Sequence, residues 1–164
     1  MLARATPSDT TGLSAARKLA LAIPAALIGG ALLSQYVGGL YPCEMCIWQR
    51  WPHGAAILYA LAALASPIDA PRTRPLVLLA ALAIAVSGAI GAFHAGVEYK
   101  WWEGITTCTT NGATSLDDIL SVPLVRCDQV QWSLAGISLA GFNAILSVGG
   151  AALVAWLALR RVAR

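Results

Sequence analysis

The chain predicts an all-α integral membrane protein, a four-transmembrane-helix bundle with two outer loops, and three observations carry that prediction. First, its 164 residues are 58% hydrophobic and only 12% charged, with a mean hydropathy of +0.68, far from soluble globular averages. Second, the charges are bunched, leaving uncharged intervals at 19–43, 51–68, 75–97 and 129–159. Third, Lys and Arg are distributed unevenly between the two ends of these intervals.

The elements follow in order along one domain, 1–164. Residues 1–15, with Thr, Ser, Pro and Asp, predict a flexible tail. The first helix is expected over about 18–38. A cleaved signal peptide is the alternative there, but the apolar stretch reaches the usual limit of about 15 residues and no clear small-residue cleavage site follows. Pro24 inside this span is expected to kink it. The second helix, about 48–66, is marginal against a need for about 20 apolar residues, so it must start close to Trp51. Residues 66–75, with three prolines and two arginines, read as a tight inner loop. The third helix is expected over about 75–97, and the fourth over about 132–159 is long enough to include interfacial chain. Gly29, Gly30, Gly88, Gly91, Gly96 and Gly136, with Ala140, would permit close helix approach. No internal repeat is present.

Two loops, about 39–47 and 98–131, then share one side. In the second, Ser115 reads as an N-cap, and Leu116, Ile119 and Leu120 fall on one face until Pro123, predicting a short amphipathic surface helix. The tail, the inner loop and the C-terminus carry eight of the eleven basic residues, against Arg50, Lys100 and Arg126 on the loop side. The positive-inside rule therefore makes both termini cytoplasmic and both cysteine-bearing loops external. Trp48, Trp51, Trp101, Trp102 and Trp132 all flank the outer ends, where indole favours the headgroup zone of membrane lipid. The net charge of +3 reports topology, and no nucleic-acid partner is expected.

Cys43 and Cys46 form a CxxC pair between the first two spans, and Cys108 and Cys127 lie in the second loop. Two intervening residues let sulfurs meet in a short ring that commonly holds a thiol of lowered pKa, suited to disulfide exchange. Four cysteines on an oxidising side allow three connectivities. The simplest is local, with Cys108–Cys127 closing a loop worth about 3 kcal/mol as a staple. Beside an exposed CxxC, exchange is the better reading of that pair. A four-thiolate zinc site usually repeats the CxxC spacing, which occurs once here, so no metal is expected.

Arg50, four residues after Cys46, would lie one helical turn from its sulfur. A permanent cation there favours the Cys46 thiolate and stabilises charge on an electron acceptor; snorkelling to phosphates or pairing with Glu44 is the plainer alternative. His94, late in the third span, is expected at the same depth, as a donor to a quinone carbonyl, a proton carrier or a satisfied interhelical hydrogen bond. His53 and Gln35 are similarly placed with a weaker case, and His53 could equally cap the second span.

Together, Pro42-Cys43-Glu44-Met45-Cys46, Trp48-Gln49-Arg50, a late His94 and the Cys108 and Cys127 loop resemble the DsbB family, bacterial disulfide bond formation protein B, over about residues 18–161. The resemblance implies a multi-pass protein of the bacterial inner membrane whose loops are periplasmic. It implies that Cys43 and Cys46 are the quinone-coupled pair, that Arg50 and His94 stand at the site of ubiquinone or menaquinone, and that Cys108 with Cys127 faces a DsbA-like thioredoxin-fold oxidase. In that scheme the partner attacks Cys108, freed Cys127 attacks Cys43, and Cys46 adds to or complexes with quinone before Cys43 resolves it. A vitamin K epoxide reductase-like quinone reductase carries its CxxC on a late helix rather than after the first span. A non-enzymatic scaffold with two structural disulfides is the reading from another class.

Overall fold

Apolar stretches of this length leave the backbone only itself to bond with, and the chain resolves that requirement by forming long helices. The computed structural model describes residues 7–105 and 125–160. Helix α1 spans Pro7–Tyr36, α2 Glu44–Ala65, α3 Thr73–Glu98 and α4 Leu139–Leu159, with two-residue strands β1 (Ser133–Leu134) and β2 (Ile137–Ser138) just before α4. Cys108 and the expected surface helix near Ser115 lie outside the described residues.

Among the described residues, three segments are long and apolar enough to cross a membrane: Thr11–Tyr36, Thr73–Glu98 and Leu139–Leu159. Helix α2 has 22 residues, about 33 Å at 1.5 Å per residue, but Glu44, Gln49, Arg50 and His53 crowd its first turns. That polarity explains why it is the marginal member.

Helix α2 starts at Glu44 rather than near 48, and two further boundaries differ more from the sequence expectation. Residues 7–15 are helical rather than a loose tail, because Leu13 and Ala16 are buried in the bundle and Gly12 lies against the Leu157 carbonyl of α4. The fourth helix starts at Leu139 rather than near 132. Ala135 and Gly136 both take positive φ, 51° and 80°, which is the requirement of a two-residue hairpin turn. The turn pairs Ser133 with Ser138 and Leu134 with Ile137, and Ser138 then caps α4 by accepting from Gly141 N–H at 3.1 Å.

Helix α3 packs against α2 and α4, and α1 closes the ring against the same two. The core at the end away from the cysteines is built largely from alanine: Ala16, Ala20, Ala56, Ala60, Ala63, Ala80, Ala81, Ala151 and Ala158, with Val77, Ile84 and Val154. Small residues let helices approach where lipid removes the hydrophobic drive between them. Gly88 and Gly91 show this at the α3–α4 contact, where an added Cβ would come within 3.1 Å of the α4 backbone. At Gly29 and Gly30 a Cβ would meet nothing within 4 Å, so these two are not contact points. Arg17 ties the same end together by donating to the Ser66 and Leu64 carbonyls at 3.2 and 3.0 Å, a cation at the C-terminus of α2.

Candidate functional site

Helix α2 begins inside the CxxC motif. Cys43 is its N-cap, in extended backbone, and its Sγ accepts from Cys46 N–H at 3.2 Å. One helical turn brings the two sulfurs together, with Cys43 Sγ donating to Cys46 Sγ at 2.8 Å. Cys43 and Cys46 are both free thiols. The distant loop reaches this pair: Cys127 is buried beside Cys43 and Met45, and hydrogen bonding to Cys127, then to Cys46, together with burial, pushes the Cys43 thiol up. Cys43 is thus the donor of the pair and Cys46 the sulfur that receives the hydrogen bond.

The loop is anchored by charge. Asp128 accepts from Lys100 Nζ at 2.7 Å and from Arg126 at 2.8 Å, and these donors, Arg126 first, hold its carboxyl below the usual carboxylate range. Tyr99 bridges toward the hairpin, donating to the Gly136 carbonyl at 2.8 Å.

Beneath the sulfurs runs a buried polar chain. His94 Nε2 lies 3.5 Å from Cys43 Sγ and 3.8 Å from Glu98 Oε1; Glu98 in turn accepts from Ser138 Oγ. His94 Nδ1 lies 3.0 Å from Gln49 Nε2. That amide nitrogen also donates to the Met45 carbonyl at 3.0 Å, so it is the NH2 end of Gln49. His94 Nδ1 must then accept, which leaves the hydrogen on Nε2, facing the cysteines. Gln49 Oε1 accepts from Asn143 Nδ2 at 2.8 Å, and Ser87 Oγ donates to the Gln49 carbonyl at 2.8 Å.

Alongside lies a cavity of about 240 Å³ between α1, α2 and α4, with Cys46, Arg50, His53 and Asn143 on one wall and Ala26, Leu27 and Ala31 of α1 on the other. Arg50 Nη1 donates to Gln35 Oε1 at 2.7 Å, while its Nε is buried without a partner among the described residues, as is His53 Nδ1. An apolar wall opposite the permanent cation of Arg50 suits a flat apolar ring that carries oxygens at its edge, the chemistry of a quinone headgroup.

Sequence reasoning named Cys43, Cys46, Cys127, Arg50 and His94, and they meet at one end of the bundle. Arg50 uses Gln35, one of the weaker candidates, and α2 is capped by Cys43 rather than by His53. Gln49, Asn143 and Glu98 were missed as site residues. A lone carboxamide in the apolar stretch of α4 is the signal that could have found Asn143, since buried polar groups in membranes are costly. Cys43, Cys46 and His94 also place ligand atoms within 4.8 Å of one another, the clustering a soft metal would use. His94 Nε2 carries hydrogen rather than a lone pair toward the sulfurs, so thiol exchange suits the arrangement better.

The chain is 33% identical over 144 residues to the disulfide bond formation protein B of Chromohalobacter salexigens, covering 79% of this chain and 84% of that one. It is 31% identical over 155 residues to that of Azoarcus sp. strain BH72, covering 85% and 89%. With that of Saccharophagus degradans it shares 29% over 163 residues, covering 92% and 98%. No solved structure matches. The family model described as disulfide bond formation protein DsbB matches residues 14–157, and the chain therefore belongs to the DsbB family of membrane oxidoreductases in disulfide formation.

Proposed function

We propose that this protein reoxidises a periplasmic DsbA-like thioredoxin-fold oxidase and passes the electrons to a membrane quinone, ubiquinone or menaquinone, generating disulfides de novo. All four helices cross the inner membrane, with both termini cytoplasmic and the cysteine end periplasmic. The observation that carries this reading is the position of Cys127: a loop cysteine far from the CxxC in sequence is buried against Cys43, and Cys43 lines the cavity that also holds Cys46 and Arg50.

The reduced partner's thiolate attacks a Cys108–Cys127 disulfide at Cys108, giving a mixed disulfide and a Cys127 thiolate. Cys127 attacks Cys43 of the oxidised CxxC, forming Cys43–Cys127 and releasing Cys46 as thiolate. The partner's second cysteine then resolves its bond to Cys108 and leaves as a disulfide. Cys108 attacks Cys127, restoring the loop disulfide and releasing Cys43. One dithiol has been oxidised and one disulfide, Cys43–Cys46, has been reduced, so electrons balance.

His94 Nε2–H faces Cys43 and stabilises charge on that sulfur when it leaves, in a poorly solvated site where such a bond is strong. Arg50, one turn from Cys46 on α2 and lining the same cavity, stabilises negative charge developing on an electron acceptor there, and Gln35 holds its guanidinium in place. A bound quinone supplies the terminal acceptor for the two electrons and two protons of the Cys43 and Cys46 dithiol. Arg50, Cys46 and the apolar face of α1 are the residues that would hold it.

Trapping tests the relay. A Cys46→Ser/Cys108→Ser variant keeps Cys43 and Cys127 alone; mild oxidation should join them within one chain, with both thiols lost to maleimide labelling and the linked peptides found by mass spectrometry. Two thiols that stay reactive, or that pair only between chains, would contradict the reading.

A further inference from the structure

The exchange steps above leave a choice to Cys127. Once freed from Cys108, its thiolate can attack back and return the electrons, or go forward to Cys43. Where the loop rests at that moment decides between the two. It rests against Cys43: Cys127 is 6% exposed and packs with Met45, Val97 and Val125. From outside, Lys100 and Arg126 hold the neighbouring Asp128, but these are exposed ion pairs, each worth little. From within, the His94 ring hydrogen-bonds the Cys127 backbone. His94 Nδ1 already accepts from Gln49 at 3.0 Å, so the donor is Nε2–H and the acceptor is the Cys127 carbonyl. The ring is itself fixed, because Gln49 also donates to the Met45 carbonyl at 3.0 Å. The same Nε2 lies 3.5 Å from Cys43 Sγ.

One N–H thus meets both residues that the relay joins, the backbone of one and the sulfur of the other. Building on the relay proposed above, we propose that His94 is the docking post of the outer loop, a positioning residue that holds the Cys127 peptide against α3 so that its sulfur meets Cys43. A donor carried on a helix fixes its partner more closely than one carried on a loop. Buried away from water, this single bond also outweighs each of the exposed ion pairs. The electron steps are unchanged: the Cys127 thiolate attacks Cys43, the Cys43–Cys127 bond forms, the Cys43–Cys46 bond breaks, and Cys46 leaves as thiolate. His94 gains and loses no proton in that step. Docking keeps the freed Cys127 from returning to Cys108 and commits the electron pair to the CxxC.

Maleimide labelling of Cys127 as the sole cysteine tests the assignment, on the full chain in detergent with Cys43→Ser, Cys46→Ser and Cys108→Ser, where the rate reports how often the loop leaves its post. The parent of this series should label far more slowly than the same chain in denaturant. His94→Leu should speed labelling of Cys127 about tenfold, the scale of one buried hydrogen bond. In a matched series that keeps only Cys46, the same substitution should change labelling by no more than about twofold, which shows the bundle intact. His94→Gln, whose amide N–H reaches about as far as Nε2, should restore most of the protection. His94→Asn, polar but too short to reach the Cys127 carbonyl, replaces His94→Leu if that variant unfolds in a thermal scan. Labelling of Cys127 that is the same in the parent and His94→Leu would overturn the docking role, as would equal rises at Cys127 and Cys46, or equal rises in His94→Leu and His94→Gln. A parent whose Cys127 labels as fast as in denaturant would instead overturn the relay reading itself, since Cys127 would then not rest against Cys43.

Discussion

The two ends of this bundle are built from the same four helices but solve opposite problems. Away from the cysteines the buried positions are mostly alanine, and the helices are held by close approach. At the cysteine end the same helices bury Gln49, His53, Ser87, His94, Ser138 and Ser147 and enclose a cavity. Alanine contributes little buried area per residue, so the first end depends on many weak contacts at short range. The second end gives up that close packing for a hydrogen-bonded chain that fixes side-chain orientation. Of the three buried side-chain nitrogens without a partner among the described residues, two, on Arg50 and His53, lie beside the cavity. The packed end provides the frame, and the polar end holds the cysteines, His94 and Arg50 in place.

Substitutions at the two ends should separate stability from chemistry. The largest effect is expected from Cys46→Ser, which should abolish quinol formation while leaving the thermal midpoint in detergent close to the parent's. Arg50→Ala should slow quinol formation about 100-fold, the scale of removing a preorganised charge from a low-dielectric site; a normal rate would refute the role given to Arg50. Gln49→Leu should touch both properties, costing about 1–3 kcal/mol by leaving Asn143 Nδ2 short of an acceptor and slowing exchange at Cys43 through a freed His94. Ala80→Leu, at the packed end, should cost about 1–3 kcal/mol through overpacking, with the rate of the folded fraction unchanged. Stopped-flow quinone absorbance and thermal unfolding read the two properties independently.

The smallest effect belongs to the loop anchor. The Asp128 carboxyl is held low, so its anchoring is present above the ordinary carboxylate range and is lost only as pH falls through its own lowered value. Cys127 should therefore stay protected from thiol labelling down to about pH 4, the ordinary carboxylate value, and Asp128→Asn should expose it modestly at pH 7.

The membrane class and three of the spans were legible because uncharged runs about 20 residues long have few other uses. The marginal second span was legible as marginal, since polar residues of the site occupy its first turns. The cysteines, Arg50 and His94 could be named because each is chemically conspicuous in an apolar chain. The start of α4 was not legible, because Ala135 adopts a positive φ that its residue type does not advertise. Helicity over 7–15 was missed because the local composition is polar, while Leu13 and Ala16 gain their burial from helices distant in sequence. The Gln49–Asn143 link, which ties α2 to α4 beneath the cysteines, joins residues 94 apart in sequence and needs the folded bundle to be seen.

The central claim is that electrons travel from the loop cysteines through Cys43 and Cys46 to quinone. Anaerobic mixing of the purified protein with a reduced DsbA-like thioredoxin-fold oxidase and ubiquinone, followed by quinone absorbance, tests it most directly. One quinol should form for each partner disulfide made, with none in Cys46→Ser. Partner oxidation without quinol, or quinol formation that survives in Cys46→Ser, would contradict the account.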